Sequence, residues 1–254
     1  MTQQFAIEGS INFRPVHDLD AGNGRKLRAG ALYRGGSYEK LTEQGIAQLH
    51  ALGINTIFDL RTNTEREEFR SRLADREGFV THVEPHDIRI GDLSSVLRDP
   101  ASTAAESRAA MLNIYQNLPK VFVPVFRRYF ALLGETESPI AVNCTVGKDR
   151  TGAAVALLLS ALGVARDDII EEYAKTNERL DDIRETLEAR KGERGYSGAN
   201  ADVLLPVLAA DPDYMAAMLS VIEGSHGGVP AYLESEIGVD AAGAERLRRR
   251  FLTD

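Results

Sequence analysis

Cys144-Thr145-Val146-Gly147-Lys148-Asp149-Arg150-Thr151-Gly152 is the stretch on which the reading of this chain turns. An apolar run, Pro139-Ile140-Ala141-Val142, precedes it, and Ala153-Ala154-Val155-Ala156-Leu157-Leu158-Leu159 follows. That order predicts a buried strand, a tight loop and a helix. A nucleophile at a strand end, with an arginine six positions on at a helix start, is a layout for attack on a phosphate ester. Successive backbone N–H groups curled into a nest, backed by a helix N-terminus, cradle such an anion. Gly147 lets the backbone turn without a Cβ clash. Arg150 can reach back as a two-pronged fork onto two phosphate oxygens, which a lysine cannot do. The same positive field favours the thiolate of Cys144, the form that attacks phosphorus.

Read singly, these residues have plainer meanings. A lone cysteine is most often a small buried hydrophobe, a lone arginine a surface charge, and Gly152 a turn or close-packing glycine. The string as a whole, on a strand–loop–helix, is what carries the chemistry. A nucleotide-binding P-loop is excluded, because Asp149 stands where a magnesium-holding Ser or Thr would follow Lys148.

Bulk properties narrow the setting. A chain of 254 residues, 43% hydrophobic, suits one α/β domain over residues 1–254, with room for a helical insertion. Its net charge of −8 argues against binding nucleic acid, so an anionic substrate must be drawn by a local positive site. The single cysteine excludes an internal disulfide framework and a cysteine-rich zinc site. His17, His50, His82, His86 and His226 lack metal-motif spacing. The first ten residues carry no export signal, and the longest apolar stretch, 153–162, is far short of the ~20 residues that span a bilayer. The expectation is a reducing, cytoplasmic setting without membrane insertion, with export by a leaderless route left open.

Along the chain, strands are predicted at 31–34, 54–58 and 79–83, besides the one before Cys144. Thr42 is a candidate N-cap for a helix ending at Gly53. Thr64-Glu65-Arg66-Glu67 matches a capping box opening a helix to about Leu73. Residues 84–100 read as an irregular, mobile loop. Helices follow over about 104–134, interrupted near Pro119 and Pro124. A long charged helix is expected over 167–191, broken by the glycine-rich 192–198, and Asp211-Pro212 is a helix start. Alternating helices and strands predict a parallel-rich sheet covered on both faces.

Several segments together resemble the atypical bacterial tyrosine phosphatases that also act on phosphoinositides. They are the nucleophile loop, Asn12-Phe13-Arg14, Leu32-Tyr33-Arg34-Gly35-Gly36, Phe58-Asp59-Leu60-Arg61-Thr62 with Glu65-Arg66, and, near the end, Pro212-Asp213-Tyr214-Met215, Ile222-Glu223, Tyr232-Leu233 and Ile237-Gly238. The similarity spans nearly the whole chain. It implies the cysteine-dependent phosphatase fold, a phosphocysteine intermediate, and neither metal nor cofactor. The resemblance makes Lys148 a second cation for multiply phosphorylated substrates and Asp149 a candidate general acid. The plainer readings are a solvated lysine and a salt-bridging aspartate; Asp87 and Asp92 are alternative acids. The expected set is therefore Cys144, Asp149 and Arg150 for catalysis, and Thr145, Val146, Gly147, Lys148, Arg150 and Thr151 for holding phosphate. The partner is a phosphorylated protein or a phosphoinositide, and 167–205 is a candidate helical lid. The sequence leaves the oligomeric state open.

The chain departs from the family at one position: Asn143 stands where a histidine usually precedes the cysteine. Asparagine can donate and accept hydrogen bonds but carries no charge. A pseudophosphatase that binds phosphorylated ligands without turnover is therefore one alternative. A rhodanese-like sulfurtransferase is another, opposed by Arg150-Thr151-Gly152 at the helix start, and a structural or adaptor domain is a third.

Overall fold

The computed structural model describes residues 7–91, 93–189 and 200–253. Five short strands form one sheet: β1 (Arg14–Val16), β2 (Leu32–Gly35), β3 (Thr56–Asp59), β4 (Val80–Val83) and β5 (Ile140–Asn143). Their order is β1-β2-β5-β3-β4, with β1 antiparallel to β2 and every other pair parallel. Gly35, Asn143 and Asp59 stand in register. The chain therefore leaves β5 at the middle of the sheet, at the carboxyl ends of its parallel strands, where open α/β sheets place their ligands.

Alternation along the strands divides the core. Leu32, Phe58, Ile140 and Val142 face one buried cluster, and Tyr33, Ile57 and Ala141 face the other. The second cluster is closed by α1 (Glu43–Ala51), through Ile46 and Leu49. The first holds α4 (Ala104–Val121), α5 (Val123–Glu135) and α6 (Asp149–Leu162). Around these pack α7 (Arg166–Ala174), α8 (Leu180–Ala189), α9 (Ala201–Leu208), α10 (Pro212–His226), α11 (Val229–Tyr232) and α12 (Ala241–Phe251). Residues 151–159 of α6 are all buried, as the apolar run after the nucleophile loop predicts.

Several boundaries differ from the sequence reading. The cap of α2 (Asn63–Glu68) is Thr62, not Thr64, and its box partner is Glu65. Thr64 instead turns its hydroxyl to Asp87. Residues 84–100 contain a helix, α3 (Leu93–Arg98). Pro119 lies inside α4, whose cap is Phe122; Pro124 stands in the first turn of α5, where a missing N–H is harmless. The long charged helix is two helices, α7 and α8, joined by a 3₁₀ turn (Lys175–Arg179). There Thr176 is buried and accepts from Arg14. The glycine-rich 192–198, Lys191 and Asp92 lie outside the described residues. Thr42 and Asp211 cap their helices as expected. Among the described residues no single helix is long and apolar enough to cross a membrane.

Candidate active site

Cys144 follows β5 directly and is buried. The loop that starts from it has its carbonyls turned outward and held there. Ser37 donates its N–H (3.0 Å) and hydroxyl (3.2 Å) to Thr145 O. Asn12 Nδ2 donates to Val146 O (3.0 Å) and Gly147 O (3.2 Å). Arg34 adds a bond to Gly147 O (2.9 Å), and Gly152 N–H takes Lys148 O (2.8 Å). Carbonyls fixed on the outside direct the loop's N–H groups inward, at the first turn of α6. Gly147 has φ +73°, and a Cβ there would lie 2.5 Å from Gly35 C and 2.6 Å from its oxygen. Only glycine fits both the conformation and the space.

The arginines behind the loop are themselves anchored. Arg34 pairs with Glu172 of α7, which also accepts from Arg14 Nε at 3.1 Å. Burial alone would raise the Glu172 carboxyl; Arg34 and then Arg14 override it and hold it below the usual range. Arg14 in turn donates to Asn12 Oδ1 at 2.6 Å, so one buried network sets the outer side of the loop.

Arg150 lies in the first turn of α6. Its two terminal nitrogens clasp Glu65: NH1 to Oε2 at 2.6 Å and NH2 to Oε1 at 2.8 Å. NH2 also reaches Thr145 Oγ1 (3.0 Å), and NH1 makes a longer contact to Leu60 O (3.4 Å). Glu65 further accepts from Thr145 Oγ1 (2.6 Å) and from the Thr62 N–H (2.8 Å). One carboxylate thus caps α2 and braces the arginine. Burial pushes the Glu65 carboxyl up, but Arg150 outweighs it and holds the group well below the usual carboxylate range. Burial likewise disfavours the Arg150 charge, and Glu65 more than restores it.

Lys148 is buried but does not lie free in the loop. Its Nζ donates to Val207 O (2.5 Å) and Ala209 O (3.1 Å) at the end of α9, and stands 3.3 Å from Asp149 Oδ1. Asp149 Oδ1 accepts from Tyr115 of α4 at 2.8 Å, and the Tyr115 hydroxyl meets that of Tyr173 at 2.7 Å. Thr151 is fully buried, and its Oγ1 has no hydrogen-bond partner among the described residues. Asn143 donates Nδ2 to Asp59 Oδ1 at 3.1 Å, and Asp59 is gripped by Arg61 Nε (3.0 Å) and NH2 (2.8 Å).

Thr145, Val146, Lys148, Asp149 and Arg150 line one wall of a cavity of about 350 Å³. Glu65, Arg89, Ile90, Met111, Ile183 of α8 and Val207 of α9 contribute to the rest. Asp87 also lines it, but its carboxylate accepts from Thr64 N–H (3.1 Å) and Asn63 Nδ2 (2.9 Å). Those bonds hold it below its ordinary value. His86 sits beneath: its Nδ1 accepts from Ile88 N–H (3.2 Å), which leaves Nε2–H to donate to Leu60 O (3.3 Å). Burial holds this ring below its ordinary pKa. Among the described residues no group of three or more His, Cys, Asp or Glu is placed to hold a metal ion.

Sequence reasoning missed Glu65 as the arginine's brace, Tyr115 as the partner of Asp149, and Asn12 and Arg34 as holders of the loop. The capping-box pattern, read from Thr64, points to Glu67 as the cap partner and leaves Glu65 without a role. The other contacts join residues far apart in the chain and have no local pattern.

A family model described as the tyrosine phosphatase family matches residues 5–253. A protein of Cupriavidus necator, provisionally named a tyrosine-protein phosphatase, is 32% identical over 248 residues, covering 97% of this chain and 88% of that one. The triple specificity protein phosphatase PtpB of Mycobacterium tuberculosis is 26% identical over 275 residues, covering 95% of this chain and 96% of its own. A tyrosine-protein phosphatase of Nostoc commune is 27% identical over 229 residues, covering 88% of this chain and 75% of its own.

Proposed function

The chain belongs to the tyrosine phosphatase family and is a phosphoric monoester hydrolase, and on that premise we propose that Cys144 is its nucleophile, Arg150 its phosphate clamp and Asp149 its general acid. The observation that carries this reading is the loop after Cys144, with the carbonyls of Thr145, Val146 and Gly147 held on its outer side by Ser37, Asn12 and Arg34. A phosphate seated there meets the N–H groups of residues 145–150 and the start of α6. Arg150 turns to it the N–H now given to Thr145, while Glu65 keeps the guanidinium in place. Thr151, buried in the first turn of α6, completes the proposed phosphate-holding set.

Chemistry follows in two displacements. The Cys144 thiolate attacks phosphorus; the S–P bond forms as the bond to the leaving oxygen breaks, and Asp149 gives that oxygen its proton. Water then attacks phosphorus, the S–P bond breaks, Asp149 takes the water proton, and phosphate leaves with the thiolate restored. Asp149 is favoured over Asp87 because it stands on the loop, whereas Asp87 is held ionised at the start of α2.

The proposed substrates are phosphotyrosine and phosphoinositides. Support comes from a cavity that sets apolar side chains such as Ile90, Met111 and Ile183 beside Lys148, Arg89 and Arg150, and from the triple-specificity name of a relative. Residues 167–205, of which 190–199 lie outside the described residues, are proposed as a helical lid; support comes from Ile183 and Leu187 of α8, which line the cavity. The test is a panel of phosphopeptides and phosphoinositides, with the native protein and Cys144→Ser. Turnover by the native chain and its loss in the variant, with phosphate analogues still bound, supports the reading. Full activity in the serine variant removes it, and binding without turnover by the native chain makes this a pseudophosphatase.

A further inference from the structure

We infer that Tyr115, backed by Tyr173, is a positioning residue for proton transfer by Asp149. The inference rests on the reading of Asp149 as the general acid, and its test separates the two. Three residues from three helices meet in one chain: Tyr173 of α7, Tyr115 of α4 and Asp149 at the start of α6, with contacts of 2.7 and 2.8 Å.

Counting protons fixes the direction of this chain. A tyrosine has one hydroxyl proton. Tyr115 gives its own to Asp149 Oδ1, so the proton between the two phenols must come from Tyr173. Both rings are buried, and burial first, then Asp149, holds both phenols well above their ordinary values, so they stay donors. Lys148 also approaches Oδ1, at 3.3 Å. With both contacts on Oδ1, Oδ2 is the oxygen that carries the transferable proton toward the cavity that Asp149 lines. The groups facing Asp149 are thus Lys148 and Arg150 from its own loop and helix, Tyr115 from α4, Tyr173 from α7 and Tyr214 from α10. Among these, Tyr115 makes the short directed bond. It also locks the carboxyl plane: a bond on one oxygen stops the group from rotating the proton away from the leaving oxygen.

The sign of its effect follows. A donor to Oδ1 favours the ionised carboxylate, so removing it favours the protonated acid. Activity that needs the acid protonated then survives to higher pH. The experiment is the pH profile of kcat for Tyr115→Phe and Tyr173→Phe, on phenyl phosphate and on a nitrophenyl phosphate. Phenolate is a poor leaving group and needs the proton; nitrophenolate does not. For Tyr115→Phe on phenyl phosphate, the alkaline limb should move up by about half to one pH unit. The plateau should fall more on phenyl than on nitrophenyl phosphate. Tyr173→Phe should shift the limb the same way by less. Melting curves check that each variant folds, and Tyr173→Phe, which leaves the Tyr115 bond intact, stands in if Tyr115→Phe does not. An unmoved limb with equal losses on both substrates overturns the inference, because a purely structural tyrosine would give that pattern. Asp149→Asn run alongside distinguishes the failures. If it keeps native activity on phenyl phosphate, the acid assignment is wrong; if it collapses while the limb of the folded tyrosine variants stays put, only this inference falls.

Discussion

Glu65→Gln tests the least expected feature of the site, a single carboxylate that caps α2 and clasps Arg150. Glutamine keeps the shape but removes the charge, and its amide nitrogen meets an Arg150 N–H in either orientation, and the Thr62 N–H as well at the Oε2 position, donor against donor. Removing one partner of a buried ion pair costs about 3–5 kcal/mol. Glu65 keeps 11% of its side chain exposed, and glutamine retains one acceptor, so the lower end applies, about 3 kcal/mol. For a chain of this size that is a drop of about 6–12 °C in melting temperature at pH 7. The pH dependence has a definite sign. The folded carboxyl titrates below its unfolded value of about 4.3, so its contribution is complete above that pH and lost as pH falls further. The gap in melting temperature between native and variant should therefore be full at pH 7, begin to narrow as pH falls through about 4.3, and go on narrowing at lower pH. A loosened Arg150 should also lose on the order of 10²-fold in kcat/KM on an aryl phosphate. Thermal melts across pH and steady-state kinetics check both. A variant that melts within about 2 °C of the native protein at pH 7, with kcat/KM within about twofold, would refute the reasoning.

Three further outcomes are expected. Lys148→Ala strips the amine from two buried carbonyls at the end of α9; at about 1–3 kcal/mol for an orphaned buried group, it should speed amide exchange in α9. It should also cost more activity on phosphoinositides than on phosphotyrosine peptides; equal losses would leave the lysine only its anchoring role. Gly147→Ala forces a Cβ against Gly35 at positive φ, and should lose more than about 2 kcal/mol of stability together with most phosphate-analogue binding, measured by melting and calorimetry. Vanadate should inhibit the native protein, and chelators should leave its rate unchanged.

The strand–loop–helix around Cys144 was legible because each part has a local signature: an apolar run of strand length, a glycine at the turn, and a helix apolar on every side because it is central. The parallel sheet followed from alternation of elements. What was not legible has physical causes. The capping box reads two residues late, since two threonines compete, and Glu65, the box partner of Thr62, is also held by Arg150, 85 residues away. The charged segment looked like one helix because its composition is uniform; the break comes where buried Thr176 meets Arg14, 162 positions distant. The helix inside residues 84–100 was hidden by its polar, short sequence. Lys148 read as a loop cation because nothing local places the carbonyls of Val207 and Ala209 beside it.

The charges around the loop also decide how substrate arrives. Arg14 and Arg34 share Glu172, Arg61 holds Asp59, Arg150 holds Glu65, and Lys148 stands by Asp149. The four carboxylates offset most of the charge of these five cations, and Arg89 and Asp87 face the same cavity. The whole chain carries −8. At low salt, where the Debye length reaches about 30 Å at 0.01 M, a dianionic phosphate therefore meets a repelling molecule well before it reaches the loop. Attraction begins only within reach of the loop's N–H groups and the start of α6. Screening weakens the first effect and barely touches the second, because N–H contacts are made at bonding distance. Raising sodium chloride from low to physiological strength should thus increase kcat/KM for a dianionic aryl phosphate, or leave it flat, while kcat stays constant. A steep fall in kcat/KM with salt would show that an unpaired cation steers the substrate, and that the pairing of charges described here does not hold in the working enzyme.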